Sequence, residues 1–340
     1  MTVQSKRGPS RSKGEAFGTD ARARFWERPA PQRGHRKSGP LANHFALGVL
    51  FVVLYVVVSA AGEVYAASYF QNSDVFVALL PSFAAVCLIF NLLSLYEGGG
   101  TRVSASSLLA FVLLNFVTAT SWVGLFIGLK CAEPAIVVTF MVAIGPTATV
   151  WLNAWIRKQG VPAAGDIVVS VLIATIGTYM IWISASGNAG VAWGARSSFG
   201  IFLAILAGLS LALTNILVKL LFDRGVSGRK VLAHRFYATI LLLLGLSDHS
   251  SIVFEISQHW LAITTIALST IIIPLLLIQE GIRRVEPFTV NMVLSTAPII
   301  TFLFQYFDSR IVPSSLTLLG NVLITAVAVG NVYLQYRRSA

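Results

Sequence analysis

The chain is 340 residues long, 56% hydrophobic and only 11% charged, with a formal net charge of +11 at pH 7. Soluble domains carry about 25% charged residues, so a soluble fold of this length would lack the groups to cover its surface, and the bilayer is the expected solvent. The basic excess sits largely at the start, where residues 1–44 hold 10 of the 25 Lys and Arg and 3 of the 14 Asp and Glu, which argues against a nucleic-acid-binding fold.

Residues 1–44, rich in Gly, Pro, Ser and Arg, read as a disordered, basic cytoplasmic tail. Its charge suits a topogenic role aided by anionic lipid, and it is too long for the basic region of a signal peptide. A helical span needs about 20 mostly apolar residues. Ten runs qualify: 47–67, 75–95, 106–127, 134–155, 167–185, 199–221, 231–246, 260–279, 287–307 and 316–336. The connections are short and carry turn residues, as in Gln71-Asn72-Ser73, Glu97-Gly98-Gly99-Gly100, Gly160-Val161-Pro162 and Ser186-Gly187-Asn188. Runs this long and apolar on all sides are not barrel strands. With the tail in the cytoplasm, 20 of the 25 Lys and Arg fall on the tail side and three (Lys130, Arg196, Arg310) on the other, Lys219 and Arg235 lying within spans. That bias follows the positive-inside rule. The sequence thus predicts an all-α polytopic membrane protein of ten transmembrane helices with both termini cytoplasmic. Residues 45–190 and 191–340 form its two five-helix repeats.

An ionisable side chain in mid-membrane costs about 2.5–3.5 kcal/mol on insertion scales, so each one invites a functional reading. Glu63, in the outer third of the first run, reads equally as a proton carrier and as a carboxylate reaching the interface near Gln71 and Asp74. Asn115, Ser121 and Trp122 on the third run are candidate substrate contacts. Pro146 and Pro298 each remove a backbone hydrogen bond near mid-span, which is tolerated only against protein or a wet cavity. The fourth and ninth runs are therefore expected to line the substrate path, with Thr147, Thr149, Trp151, Asn291, Ser295 and Thr296 nearby, although hydroxyls bonded across helices would explain many of these. Thr214 and Asn215 lie opposite the first run's acid. His234 and Arg235 enter the seventh run from the inner side. An arginine there can hold an anionic group, but snorkelling to the interface is the favoured reading, and Lys219 is similar. Glu280 with Arg283 and Arg284 reads as a local helix-end cluster. Cys87, Cys131 and five scattered histidines give no metal or disulfide pattern, so no metal and no cofactor is expected.

A repeat organises these features. Gly128-Leu129-Lys130-Cys131-Ala132-Glu133-Pro134 recurs as Gly281-Ile282-Arg283-Arg284-Val285-Glu286-Pro287, offset by 153 residues, and each copy precedes a run with a mid-span proline. Five spans separate the copies, so the halves enter the membrane from opposite sides, as in the inverted repeats of many secondary transporters. The same offset places Ile216 opposite Glu63. Glu133 and Glu286 read as helix-start signals, each followed by proline.

Five-span halves, this junction and the mid-span prolines resemble the drug/metabolite transporter superfamily, most nearly its EamA-like branch, over about residues 47–336. Arg235-Phe236 resembles an arginine that this family often places in the seventh span. Ser82 stands at the corresponding place in the first half. The Gly-Glu-Arg that often follows the fourth and ninth spans is replaced by Arg157-Lys158-Gln159 and Asp308-Ser309-Arg310. The resemblance implies a secondary transporter of a small organic metabolite in a plasma membrane, a bacterial inner membrane by its branch, with export favoured. It leaves room for protons as the coupling ion, through Glu63, and for a homodimer. A membrane-embedded enzyme acting on a lipid-linked substrate and a non-transporting scaffold are the alternatives. No nucleophile–base or Walker motif supports the former.

Overall fold

With no water in hydrocarbon to bond N–H and C=O groups, a long apolar run must satisfy its backbone internally. In the computed structural model, which describes residues 41–96, 105–158, 162–185, 194–250, 252–311 and 314–339, all ten runs are helical, some with interruptions. The tail through residue 40 and the turns at 97–104, 159–161 and 186–193 lie outside the described residues. The first helix starts at Leu41, inside the segment assigned to the tail, because Leu-Ala follows the Gly-Pro that closes the polar stretch.

Helices α1 (Leu41–Tyr69), α2 (Val75–Tyr96), α3 (Ala105–Cys131), α4 (Pro134–Arg157) and α5 (Ala164–Ala185) are each continuous, as is α6 (Ala195–Asp223). Three interrupted spans follow. They are α7 (Gly228–His234) with α8 (Tyr237–Leu246); α9 (Ile252–Ile266), a π-helical segment (Ala267–Ile272) and α10 (Ile273–Arg284); and α11 (Pro287–Leu294) with α12 (Ala297–Gln305). Helix α13 (Ser315–Ser339) is again continuous. Among the described residues there are no strands. Among the described residues, eight stretches are long and apolar enough to cross a membrane, and Ala164–Met180 is a shorter apolar helix. The seventh predicted run is the one broken into α7 and α8.

Proline explains two of the interruptions. Pro274 has no N–H and its ring crowds the carbonyl four residues back, so the helix widens just before it, and the Ile273 N–H bonds Leu268, five residues earlier. Pro298 sits at the first turn of α12, after the helix stops at Leu294 and restarts beyond Ser295-Thr296. Pro146, by contrast, lies inside a helix that runs on unbroken.

The packing exchanges the two sets of helices. α3 lies on α6 as α10 lies on α1; α4 lies on α6 as α12 lies on α1; α4 meets α5 as α11 meets α13; and α3 meets α8 as α9 meets α2. Matched glycines mark the first of these crossings. A Cβ added to Gly128 would be 2.9 Å from Val137 and 3.3 Å from the Gly200 carbonyl, and one added to Gly281 would strike Val52 and come within 3.4 Å of the Gly48 carbonyl. Gly281→Leu is therefore expected to lower the thermal midpoint of the purified protein, through an overpacking cost of about 1–3 kcal/mol. Gly330→Leu, at a glycine with open space around it, should leave the midpoint unchanged in the same melt.

Helix α1 also fixes where the two repeated junctions lie. Near its start Gly48 packs on Arg284 and Val285, and Phe45 meets Tyr336 at 6.2 Å between ring centroids. Just past its other end, Gln71 Nε2 donates to the Lys130 carbonyl at 3.4 Å. At 1.5 Å per residue a helix of 29 residues is about 40 Å long. The Glu133-Pro134 and Glu286-Pro287 junctions thus sit at opposite ends of the bundle, here the Gln71 end and the Phe45 end. Large apolar side chains such as Leu88, Phe116, Trp155, Trp182, Phe202 and Leu241 are exposed around the bundle, as a lipid-facing surface requires.

Candidate functional site

Unlike the other two interruptions, the one between α7 and α8 has no proline. Helix α7 starts on Ser227, whose hydroxyl accepts the Lys230 N–H at 3.3 Å, and stops at His234. The backbone left open there is taken up by two distant asparagines. Asn91 Nδ2 donates to the Ala233 carbonyl at 2.9 Å, Asn115 Nδ2 donates to the His234 carbonyl at 2.6 Å, and Asn115 Oδ1 accepts the Ala238 N–H at 3.2 Å. Asn115, expected on the substrate path, is committed instead to holding this break.

The break carries Arg235 into the centre of the bundle. Its side chain lines a narrow cavity of about 30 Å³ with Tyr55 of α1, Ser121, Trp122 and Leu125 of α3, Met141 of α4, Leu211, Thr214 and Asn215 of α6, and Leu275, Ile278 and Ile282 of α10. Arg235 is only 4% exposed, which overturns the snorkelling reading: in a broken helix the residue is not constrained to the face that reaches the interface. Its guanidinium lies 5.1 Å from the Phe236 ring, and its Nε has no hydrogen-bond partner. Thr214 Oγ1 and Asn215 Nδ2 are likewise buried without partners. Lys219 is explained differently, since its Nζ donates to the carbonyls of Ile282 (3.2 Å) and Arg283 (3.3 Å) at the end of α10.

Glu63 is 7% exposed and does not reach the interface near Gln71. It lies one turn beyond the buried Ser59, next to Gly62, where a Cβ would be 2.5 Å from Thr270 Oγ1 and 2.9 Å from Ser269 Oγ of the π-helical segment. Glycine thus lets α1 press against the widened helix. The Tyr55 hydroxyl is within electrostatic reach of both Glu63 and Arg235, and so links the acid to the cavity. The glycine crossings correct the register inferred from the junction repeat. Matching Gly48 with Gly200 puts Asn215, not Ile216, at the place of Glu63.

Ser121, Trp122, Thr214, Asn215 and Arg235 are therefore brought together; Glu63 does not line their cavity and is related to it only through Tyr55. The group expected on the fourth and ninth runs is not. Asn291 Nδ2 donates to Thr149 Oγ1 (2.9 Å) and to the Pro287 carbonyl (3.0 Å), Ser295 Oγ donates to the Asn291 carbonyl, and Thr296 Oγ1 donates to the Val293 carbonyl. Thr147 Oγ1 donates to the Ser170 carbonyl of α5. Pro298 accepts from Asn321 Nδ2 at 3.4 Å, and Pro146 is buried within α4. The bonds from Asn291 to Thr149, Thr147 to Ser170 and Asn321 to Pro298 link packed helices, whereas those of Ser295 and Thr296 stay within their own helix and its end. Trp151 is 57% exposed on the outside of the bundle, far from any path role. Sequence reasoning missed Tyr55, Gln279 and the π-helical segment. Pro274 was the available signal for the last.

A basin opens at each end, at the two repeated junctions. The Phe45-end basin, about 510 Å³, is bounded by Thr149, Asn153, Asp166, Arg284, Glu286 and Arg338 among others. The Gln71-end basin, about 550 Å³, is bounded by Gln71, Lys130, Glu133, Arg196 and Arg310. Glu133 and Glu286 occupy extended N-cap positions before proline, but neither side chain caps its helix. Glu286 instead pairs with Arg157, which also binds Asp223 at 2.8 Å, tying α4, α6 and α11 together. At the other end Arg310 pairs with its neighbour Asp308 (Nε to Oδ1, 2.8 Å) and holds that carboxyl below its usual range.

Burial pushes the Glu133 carboxyl up to about 7, against the opposing effect of its hydrogen bond with Gln305. A raised native value means that the folded state binds the proton more tightly. Stability is then complete below the ordinary carboxylate range and declines as pH rises from about 4.5 to about 7. The thermal midpoint is expected to fall across that window, and Glu133→Gln to remove its part of the fall, measured in parallel melts.

Residues 198–333 match the model of the EamA-like transporter family, part of the drug/metabolite transporter superfamily, as the resemblance led one to expect. No curated protein matches the chain in sequence. Among 28 matching chains of solved structures, one crystal structure, described only as that of a protein, is 18% identical with a TM-score of 0.60. The match covers 84% of this chain and 96% of that one, and at this identity the likeness is one of fold.

Proposed function

We propose that this membrane protein of the EamA-like kind is a secondary transporter that moves a small organic metabolite by alternating access, with the Phe45 end in the cytoplasm. A narrow chamber with buried polar groups midway between two end basins, inside packing that exchanges two five-helix sets, carries the reading. Two sets with equivalent contacts can trade roles, so that either basin joins the chamber in turn. The chamber around Arg235, Asn215, Thr214, Ser121 and Trp122 is the substrate site in this reading, and Glu63 couples a proton to its occupancy. Export is the favoured direction, across a bacterial inner membrane, driven by the solute's own outward gradient and carrying the proton with it.

The test is counterflow in proteoliposomes. Vesicles preloaded with unlabelled solute should take up the labelled solute transiently, and the uptake should saturate. A pore would equilibrate without overshoot, and turnover of a lipid-linked substrate by the purified protein would instead favour the enzymatic reading.

A further inference from the structure

Arg235 is a buried cation in a mainly apolar cavity. Charge there is expensive unless it is paired and hydrogen-bonded, and the guanidinium has a bare Nε, a ring face at 5.1 Å and a tyrosine hydroxyl nearby. Around it stand donors without acceptors. Asn215 Nδ2 and Thr214 Oγ1 line the same cavity, and Gln279, on the turn between the lining residues Leu275 and Ile282, is 4% exposed with neither amide atom bonded. The remaining wall is aromatic and aliphatic: Trp122, Leu125, Met141, Leu211, Ile278 and Ile282.

We infer that this cavity binds a small organic monocarboxylate, its carboxylate held by the Arg235 fork and the amide and hydroxyl donors of α6, its apolar body lying against Trp122 and the aliphatic wall. A guanidinium presents two parallel N–H groups that match a carboxylate. A single anionic charge fits because the other buried cation, Lys219 on α6, is already engaged by two carbonyls at the end of α10. A doubly charged phosphate would leave one charge unmatched in low dielectric. At about 30 Å³ the cavity is narrower than such a ligand, and the interrupted spans beside it, α7/α8 and α9/α10, are where it can widen.

The inference rests on the transporter reading for the fate of the ligand but not for its binding, and the test separates the two. Thermal unfolding of the full chain in detergent is followed with acetate, benzoate, phenylacetate and indole-3-acetate, each against its own amide. At least one acid is expected to raise the midpoint where its amide does not, since a ligand stabilises the state that binds it. Arg235→Gln should weaken that acid's apparent affinity about tenfold or more, and Arg235→Lys, which keeps the charge but loses the fork, should weaken it less. The acid–amide comparison uses the unaltered chain, so it decides even where a variant fails to fold. Equal shifts from acid and amide, or no shift from any acid, overturn the inference. A carboxylate that binds through Arg235 yet shows no counterflow leaves the site standing and removes the transporter reading. Saturable counterflow of a neutral solute, indifferent to Arg235→Gln, does the reverse.

Discussion

Glu63→Gln is expected to abolish the response of transport to a pH gradient while leaving solute exchange intact. Glutamine keeps the size and hydrogen-bonding capacity of the side chain but cannot carry a proton. The charge buried around Tyr55 explains why the proton matters. Arg235 and an ionised Glu63, linked through Tyr55, sum to zero, and an arriving carboxylate would leave one negative charge in excess unless Glu63 is protonated. No other charge lies on the adjoining stretch of the elements packed on α1. Glu280, Arg283 and Arg284 of α10, Arg157 of α4 and Arg337 and Arg338 of α13 are at the Phe45 end, while Lys130 of α3 and Glu255 and His259 of α9 are at the Gln71 end. With one proton moved per solute, a gradient of one pH unit supports about a tenfold accumulation ratio. In proteoliposomes the wild-type chain should approach that ratio and the variant should stay at unity. A variant that still accumulates solute on a pH gradient would remove Glu63 from the coupling.

Arg157→Ala is expected to open the Phe45 end and close the other. The arginine joins α4 to α6 and α11 through Asp223 and Glu286, and its loss leaves two carboxylates facing one another. Both acids are substantially exposed, so each pair contributes about 1 kcal/mol or less. That is enough to shift a near-balanced equilibrium about fivefold. The readout is labelling by a membrane-impermeant maleimide in a background with Cys87 and Cys131 replaced by alanine. Ala154→Cys, in the Phe45-end basin, should label faster after Arg157→Ala, and Ala132→Cys, in the Gln71-end basin, more slowly. Faster labelling at both positions would mean general loosening and no linked switch.

The helical class and its ten apolar runs were legible because hydrocarbon allows few other solutions to such segments. The polar residues that meet in the chamber were legible as residues out of place in those runs, above all Arg235 and Asn215. Their facing was not. Helices that are apolar all round have no preferred side in the sequence, so Trp122, which lines the cavity, and Trp151, which faces outward, looked alike. Arg235 was misjudged from its distance to the interface along an ideal helix. Neither glycine nor proline marks the break at 235–236, and the asparagines that hold it come from α2 and α3, more than a hundred residues earlier. The one-residue error in the partner of Glu63 arose because the repeat was read at the Glu-Pro junctions. The register of α1 against α6 is set elsewhere, by where Gly48 and Gly200 meet their crossing helices.

The interruptions are not shared evenly. Helices α1 to α5 run without a joint, whereas three of the five spans beyond them are jointed. Sets alike in topology are then unlike in stiffness: one acts as a frame, and the other supplies the bending. Mirror-image motions would need equal compliance on both sides. Under the alternating access proposed above, give concentrated in one set would make the outward-facing and inward-facing forms differ in strain as well as in shape, and a resting preference for one of them is expected.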